Sequence, residues 1–122
     1  MKRDMELIRK MVLAVEDAPT GYAPDPLKIE GYTDEQVRYH AYQLIDGEYA
    51  KGPIVSSSGS SSPQAIILSL TWKGHDFAAV TRDETTWRKV MTVVRQKGGA
   101  VTLDVVKALA SKFAKSSLGL DE

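Results

Sequence analysis

The residues in this chain of 122 that could carry covalent chemistry are few: His40, His75, a run of six serines between Ser56 and Ser62, and scattered carboxylates. There is no cysteine, so a thiolate nucleophile, a disulfide framework and a thiolate metal site are all excluded. Two histidines leave little from which to assemble a triad or a metal cluster. His40 borders the apolar face of a predicted helix, the usual setting of a packed core or boundary histidine. His75 and Asp76 are neighbours in a predicted first helical turn and need further ligands at chelating spacing, which the sequence does not offer. The serines stand in no G-x-S-x-G elbow, and Gly98-Gly99-Ala100 lacks the Lys-Ser/Thr of a phosphate loop. The expectation is a protein that is not an enzyme and has no cofactor and no metal.

Recognition chemistry is better represented. A predicted helix over 33–46 exposes Gln36, Tyr39 and Gln43, with Arg38 towards its edge. Glutamine pairs bidentately with adenine, arginine with guanine, and tyrosine reaches phosphates. Gln36, Arg38, Tyr39, Gln43 and Lys51 are therefore candidate contacts to double-stranded DNA, with Lys2 and Arg3 positioning the backbone. Asp34 and Glu35 oppose this, because they sit at the helix end that would meet the groove, and phosphate neutralisation dominates DNA affinity. The segment 56–64 has no Lys or Arg to insert into a minor groove. A protein partner, or a second copy of the chain, is the alternative, contacted through two carboxy-terminal helices.

The charges are balanced at 16 Lys/Arg against 16 Asp/Glu, yet unevenly placed. Residues 1–50 hold six Lys/Arg against ten Asp/Glu, whereas 85–115 hold seven against Asp104 alone. A basic stretch of this kind is either the solvated face of helices or a surface for an acidic partner. With 43% hydrophobic and 26% charged residues the composition is that of a globular protein. No run approaches a membrane span and no signal-like apolar segment follows the amino terminus, so the expected location is the cytoplasm, away from membranes.

The elements that would position these groups follow from periodicity. Met5, Ile8, Val12 and Val15 share one face of a helix over 4–17, which Ala18-Pro19 ends. Pro26 to Tyr32 alternates apolar and charged residues and reads as a short strand or extended segment. Thr33-Asp34-Glu35-Gln36 matches a capping box, Val37, Ala41, Leu44 and Ile45 share the next helix's face, and Gly47 supplies its C-cap. Residues 48–55 and 65–70 read as two strands. Thr71 then caps a helix beginning at Trp72. Trp87, Val90, Met91 and Val94 define a helix over 84–97, and Val106, Leu109, Ala110 and Phe113 a last one over 102–116.

Helix, short strand, helix, hairpin and closing helix resembles a winged helix. Leu70-Thr71-Trp72-Lys73-Gly74-His75-Asp76-Phe77 is similar to the Leu-Thr-x-x-Gly-x-x-Phe joint that often follows the second wing strand. In that joint Thr caps, Gly lets the first turn approach the wing, and Phe enters the core. Where a winged helix usually has a separate second helix, residues 18–32 hold only a loop and the expected short strand. The blocks MKRDMELIRK, KIEGYTDEQVRYH, LTWKGHDF, RDETTWRKV and Gly98-Gly99 together resemble a family of small bacterial and phage proteins, domain of unknown function 2513. That resemblance implies a family and no activity. The expectation is one α+β domain over 1–122: a winged-helix-like core over 1–82, a flexible wing loop over 56–64, and a helical pair over 83–116. The serine run lies inside the hairpin, since an interdomain linker there would leave both flanking strands with unpaired edges.

Overall fold

A computed structural model describes residues 1–99 and 101–119. Its elements are α1 (Met5–Glu16), α2 (Asp34–Asp46), β1 (Ala50–Lys51), β2 (Ser69–Leu70), α3 (Trp72–Thr81), α4 (Glu84–Gln96) and α5 (Leu103–Ser117). The class is α+β, and the chain divides into two compact units, residues 1–78 and 79–122, with the division inside α3.

In the first unit α1 packs on α2 and β2, and α2 packs on β1. Met5, Leu7, Ile8, Met11, Val12 and Val15 are buried, so α1 presents a broader apolar face than its i, i+3, i+7 set alone. Val37, Ala41 and Leu44 of α2 meet that core, together with Ala65, Ile67, Leu70 and Phe77. Asp4 caps α1 by accepting from the Leu7 N–H at 3.1 Å. Thr33 and Gln36 form the reciprocal capping box of α2, at 3.1 and 2.8 Å.

The far end of α2 differs by one residue from the pattern expected of a glycine cap. Gly47 is the C-cap at φ −83°, and the left-handed residue is Glu48 at φ 68°. The Glu48 N–H bonds the Ile45 carbonyl at 3.0 Å and the Tyr49 N–H the Leu44 carbonyl at 2.8 Å, the paired closure of a Schellman end.

β1 and β2 pair antiparallel, Ala50 with Leu70 and Lys51 with Ser69, and an isolated bridge joins Ile54 to Ala65. Between the Lys51–Ser69 and Ile54–Ala65 pairs the first strand advances three residues and the second four, so the second strand carries a bulge. The extra residue lets Ala65, Ile67 and Leu70 all be buried while Ile66 and Leu68 stay exposed. Gly52 faces the same region, where an added Cβ would fall 1.8 Å from the Ile66 carbonyl oxygen.

The strand expected at 26–32 does not form. One rung approaches it, from the Ala23 N–H to the Leu68 carbonyl at 2.8 Å. Pro24 and Pro26 have no N–H with which to continue, and the segment turns away instead. Tyr32 then settles beside Asp4 at the start of α1, where burial first and the Asp4 charge second push its phenol above the ordinary range.

The second unit contains the α4–α5 pair, which pack together, with Trp87, Val90 and Val94 of α4 and Leu103, Val106 and Ala110 of α5 buried. Asp83 and Thr102 cap the two helices. Leu109 and Phe113, expected in the α5 face, are half-exposed.

Candidate functional site

Helix α2 carries most of the candidate contacts, and the structure distributes them over two flanks. At about 100° per residue, Gln36, Tyr39 and Gln43 lie on one side of the helix and Arg38 on the other. Gln36 uses its Oε1 to accept from the Thr33 N–H, so one of the two atoms needed to pair an adenine is engaged in the cap. The Tyr39 hydroxyl donates to the Met1 carbonyl at 3.0 Å, tying α2 to the chain's first residue, with Lys2 and Arg3 exposed beside it. Gln43 is half-exposed, and Lys51 is exposed on β1. Gln36, Tyr39 and Gln43 therefore do not share a helix flank with Arg38.

His40 is part of the core, 2% exposed. Its Nε2 accepts from the Asp4 N–H at 2.8 Å and its Nδ1 lies 2.7 Å from the Gln36 carbonyl. A carbonyl only accepts and an N–H only donates, so these partners select the neutral tautomer protonated at Nδ1. His75 contacts the Glu16 carboxylate through Nδ1. Among the described residues no group of three or more His, Asp or Glu is placed to hold a metal ion.

The serine run folds back on α2. Ser61 and Ser62 both donate their hydroxyls to the same Glu35 oxygen, the second at 3.0 Å. These two bonds, Ser61 first, hold the Glu35 carboxyl below its ordinary range. Inside the loop Ser60 closes a turn on Ser57, and the Ala65 N–H bonds the Arg38 carbonyl at 3.0 Å. The segment at 56–64 has no helix or strand, and it is fastened to the acidic start of α2. Composition alone does not suggest this. The signal is a hydroxyl-rich loop and a carboxylate with no cation beside it in the sequence.

On the Arg38 flank lies a cleft of about 60 Å³, small beside the usual few hundred Å³ of a ligand pocket. Val37, Ala41, Ala65 and Ile67 line it with Pro24 and Pro26, and Lys28, Asp34 and Arg38 also border it. Lys28 is committed to Asp34 at 2.7 Å, and this hydrogen bond, with the lysine charge, holds the Asp34 carboxyl low.

The Leu-Thr-x-x-Gly-x-x-Phe joint is built as its residue types require. The Thr71 hydroxyl donates to the Glu48 carbonyl at 2.6 Å and accepts from the Gly74 N–H at 3.1 Å. Gly74 lies so close to the hairpin that a Cβ would fall 2.0 Å from the Tyr49 carbonyl oxygen. Phe77 is fully buried and meets Tyr49 edge to face at 5.9 Å between ring centres. The joint leaves Trp72 84% exposed, the most exposed large apolar side chain among the described residues.

The blocks that make up the capping box, this joint and the Gly-Gly turn belong to one sequence pattern. The family model described as "Hypothetical protein (DUF2513)" matches residues 2–100. The chain belongs to that family. It is similar to an uncharacterized protein of Haemophilus influenzae, 29% identical over 97% of this chain and 99% of that protein's own length. No solved structure matches the chain. The family match spans the first unit and the whole of α4, and therefore the serine loop, the cleft and Trp72.

Charge separates the two units. Residues 1–78 hold eight Lys/Arg against eleven Asp/Glu, a net −3, and residues 79–122 hold eight against five, a net +3. The unit that carries α2 is the acidic one. Among the described residues no helix is long and apolar enough to cross a membrane.

Proposed function

We propose that this family member is a non-catalytic protein-interaction module. The observation that carries the reading is Trp72, 84% exposed on the first turn of a helix held by the Thr71 cap and the Gly74 contact. Tryptophan is among the residues most enriched at binding hot spots, and a rigid backbone lets it bind with little ordering cost. The order α1, α2, β1, β2, α3 supports a winged-helix-like reading of the first unit, with 56–64 as its wing. In that reading the wing rests on the amino-terminal end of α2 through Glu35 instead of reaching outwards. A bacterial or phage accessory protein acting in the cytoplasm by assembly is the corresponding role.

Binding to duplex DNA is the second reading, and the net +3 on residues 79–122 favours it. Helix α2 supplies weak support. Its unit is net −3, Asp34 and Glu35 stand at its leading end, and Gln36 and Tyr39 already hold intramolecular bonds.

The test compares the tagged full chain with Trp72→Ala, expressed in the cells of origin. The expected result is a stoichiometric protein partner that is lost with Trp72→Ala, and no retention on random duplex at about 50 mM salt, a low-salt condition on the scale where phosphate contacts dominate. Retention on duplex that falls steeply with salt and is lost with Arg38→Ala, in the absence of a protein partner, would overturn the proposal.

A further inference from the structure

The outer face of α3 indicates what chemistry a partner should bring. At about 100° per residue, Gly74, Phe77 and Ala78 point inwards, and Trp72 and Asp76 point outwards about 40° apart, one turn from each other. Gly74, Phe77 and Ala78 are buried, whereas Trp72, His75 and Asp76 are exposed. The Glu16 carboxylate at the end of α1 is held against His75 on the same side. The cation next in sequence, Lys73, is turned away from this face. Its Nζ lies 4.3 Å from the centre of the Tyr49 ring and 3.5 Å from the Gly47 carbonyl. An indole face and a carboxylate one helical turn apart therefore stand together on a unit of net charge −3.

That pairing fits a cation and little else. The indole π-face attracts an ammonium or guanidinium placed over it, and the carboxylate one turn along can accept its N–H donors. A nucleic-acid strand also stacks on exposed tryptophan, but its phosphates would meet Asp76, Glu16 and the net negative charge of the unit. A purely apolar partner would leave Asp76 desolvated and unpaired. We infer that Trp72 and Asp76 form a receptor for an arginine or lysine side chain on a partner protein, with Glu16 adding to the local negative potential. This inference rests on the interaction-module reading and names the chemistry of the same surface.

The experiment places a photoreactive benzophenone side chain at Ala79, on the same face of α3 three residues beyond Asp76, in the otherwise intact chain. Crosslinks formed in the cells of origin are mapped on the partner by mass spectrometry. The expected result is a crosslinked segment with Arg or Lys within a few residues of the mapped site. Its yield should fall about tenfold with Trp72→Leu and with Asp76→Asn, the scale of one cation–π contact or charged hydrogen bond lost. Asp76→Glu should restore it. Far-UV circular dichroism, together with the emission of buried Trp87, confirms that each variant is folded.

The alternatives separate cleanly. A crosslink to an apolar or acidic segment that is lost with Trp72→Ala but retained by Trp72→Leu and indifferent to Asp76→Asn overturns the cation receptor and leaves the interaction module standing. The absence of any Trp72-dependent protein crosslink overturns both. A crosslink to a second copy of this chain, or to nucleic acid, overturns the inference.

Discussion

Gly74→Ala isolates the tightest contact in the first unit. In an ordinary helix the exchange is favourable by about 0.8–1 kcal/mol, because alanine restricts the unfolded chain and suits the helix. Here the new Cβ would sit 2.0 Å from the Tyr49 carbonyl oxygen and 3.2 Å from the Leu70 Cβ. Backbone carbonyls cannot rotate away, so α3 and the hairpin must separate by roughly 1 Å or more to reach van der Waals distance. That movement loosens the Thr71 N–H bond to the same Tyr49 carbonyl, now 3.1 Å, and the Thr71 hydroxyl bond to Glu48. Overpacking costs about 1–3 kcal/mol and a lost hydrogen bond about 1 kcal/mol. After the helical gain is subtracted, the expected loss is about 2 kcal/mol. In urea denaturation followed by circular dichroism the midpoint should drop by about 1 M, at a slope of about 2 kcal/mol/M. Gly59→Ala is the control, since nothing lies within 4 Å of the place its Cβ would take. Its midpoint should not fall. A Gly74→Ala protein as stable as the parent, or more so, would refute the close approach of α3 to the hairpin.

Three further outcomes follow from the same packing. The two serine bonds depress the Glu35 carboxyl, so its contribution is present above the ordinary glutamate range and disappears as pH falls through the lowered value. Parent and Glu35→Gln should therefore differ in stability at neutral pH and converge in acid, and Ser61→Ala with Ser62→Ala should raise the Glu35 titration seen by carboxyl NMR. Glu48→Gly should stabilise by up to about 1 kcal/mol in thermal unfolding, because glycine removes the left-handed penalty at φ 68° and keeps the Schellman bonds. His40→Ala should cost about 2–4 kcal/mol, since it empties a site 2% exposed, strands the Asp4 N–H and removes the side-chain bond to the Gln36 carbonyl. A loss below about 1 kcal/mol in urea would show that those two bonds are not formed together.

Much of the architecture is written locally. Helices α1, α2, α4 and α5 each begin at an Asp or Thr whose oxygen accepts from an N–H three residues on. Such bonds need only neighbours in the chain, so residue type and spacing determine them. In the joint from Leu70 to Phe77 only the Thr71 cap on the Gly74 N–H is of this local kind; the Thr71 bond to Glu48 and the contacts of Gly74 and Phe77 with Tyr49 reach back across the hairpin.

What required tertiary structure depends on partners far along the chain. The alternation at 26–32 suggests a strand, but a strand exists only where another backbone supplies its hydrogen bonds, and past Ala23 the prolines offer none. The hairpin register cannot be read from AIILSL, because a single bulge decides whether Ile67 and Leu70 can both face inwards. Composition describes the serine loop as polar; only folding brings Ser61 and Ser62 to Glu35 across 26 and 27 residues. The candidate contacts on α2 divide in the same way, since Tyr39 meets Met1 and Arg38 borders the cleft. Trp72 is the sharpest case. Its sequence position, after a capping threonine and before a buried phenylalanine, is that of a helix start. Its exposure follows from the direction in which Gly74 and Phe77 anchor that helix, and this is a property of the packed core alone.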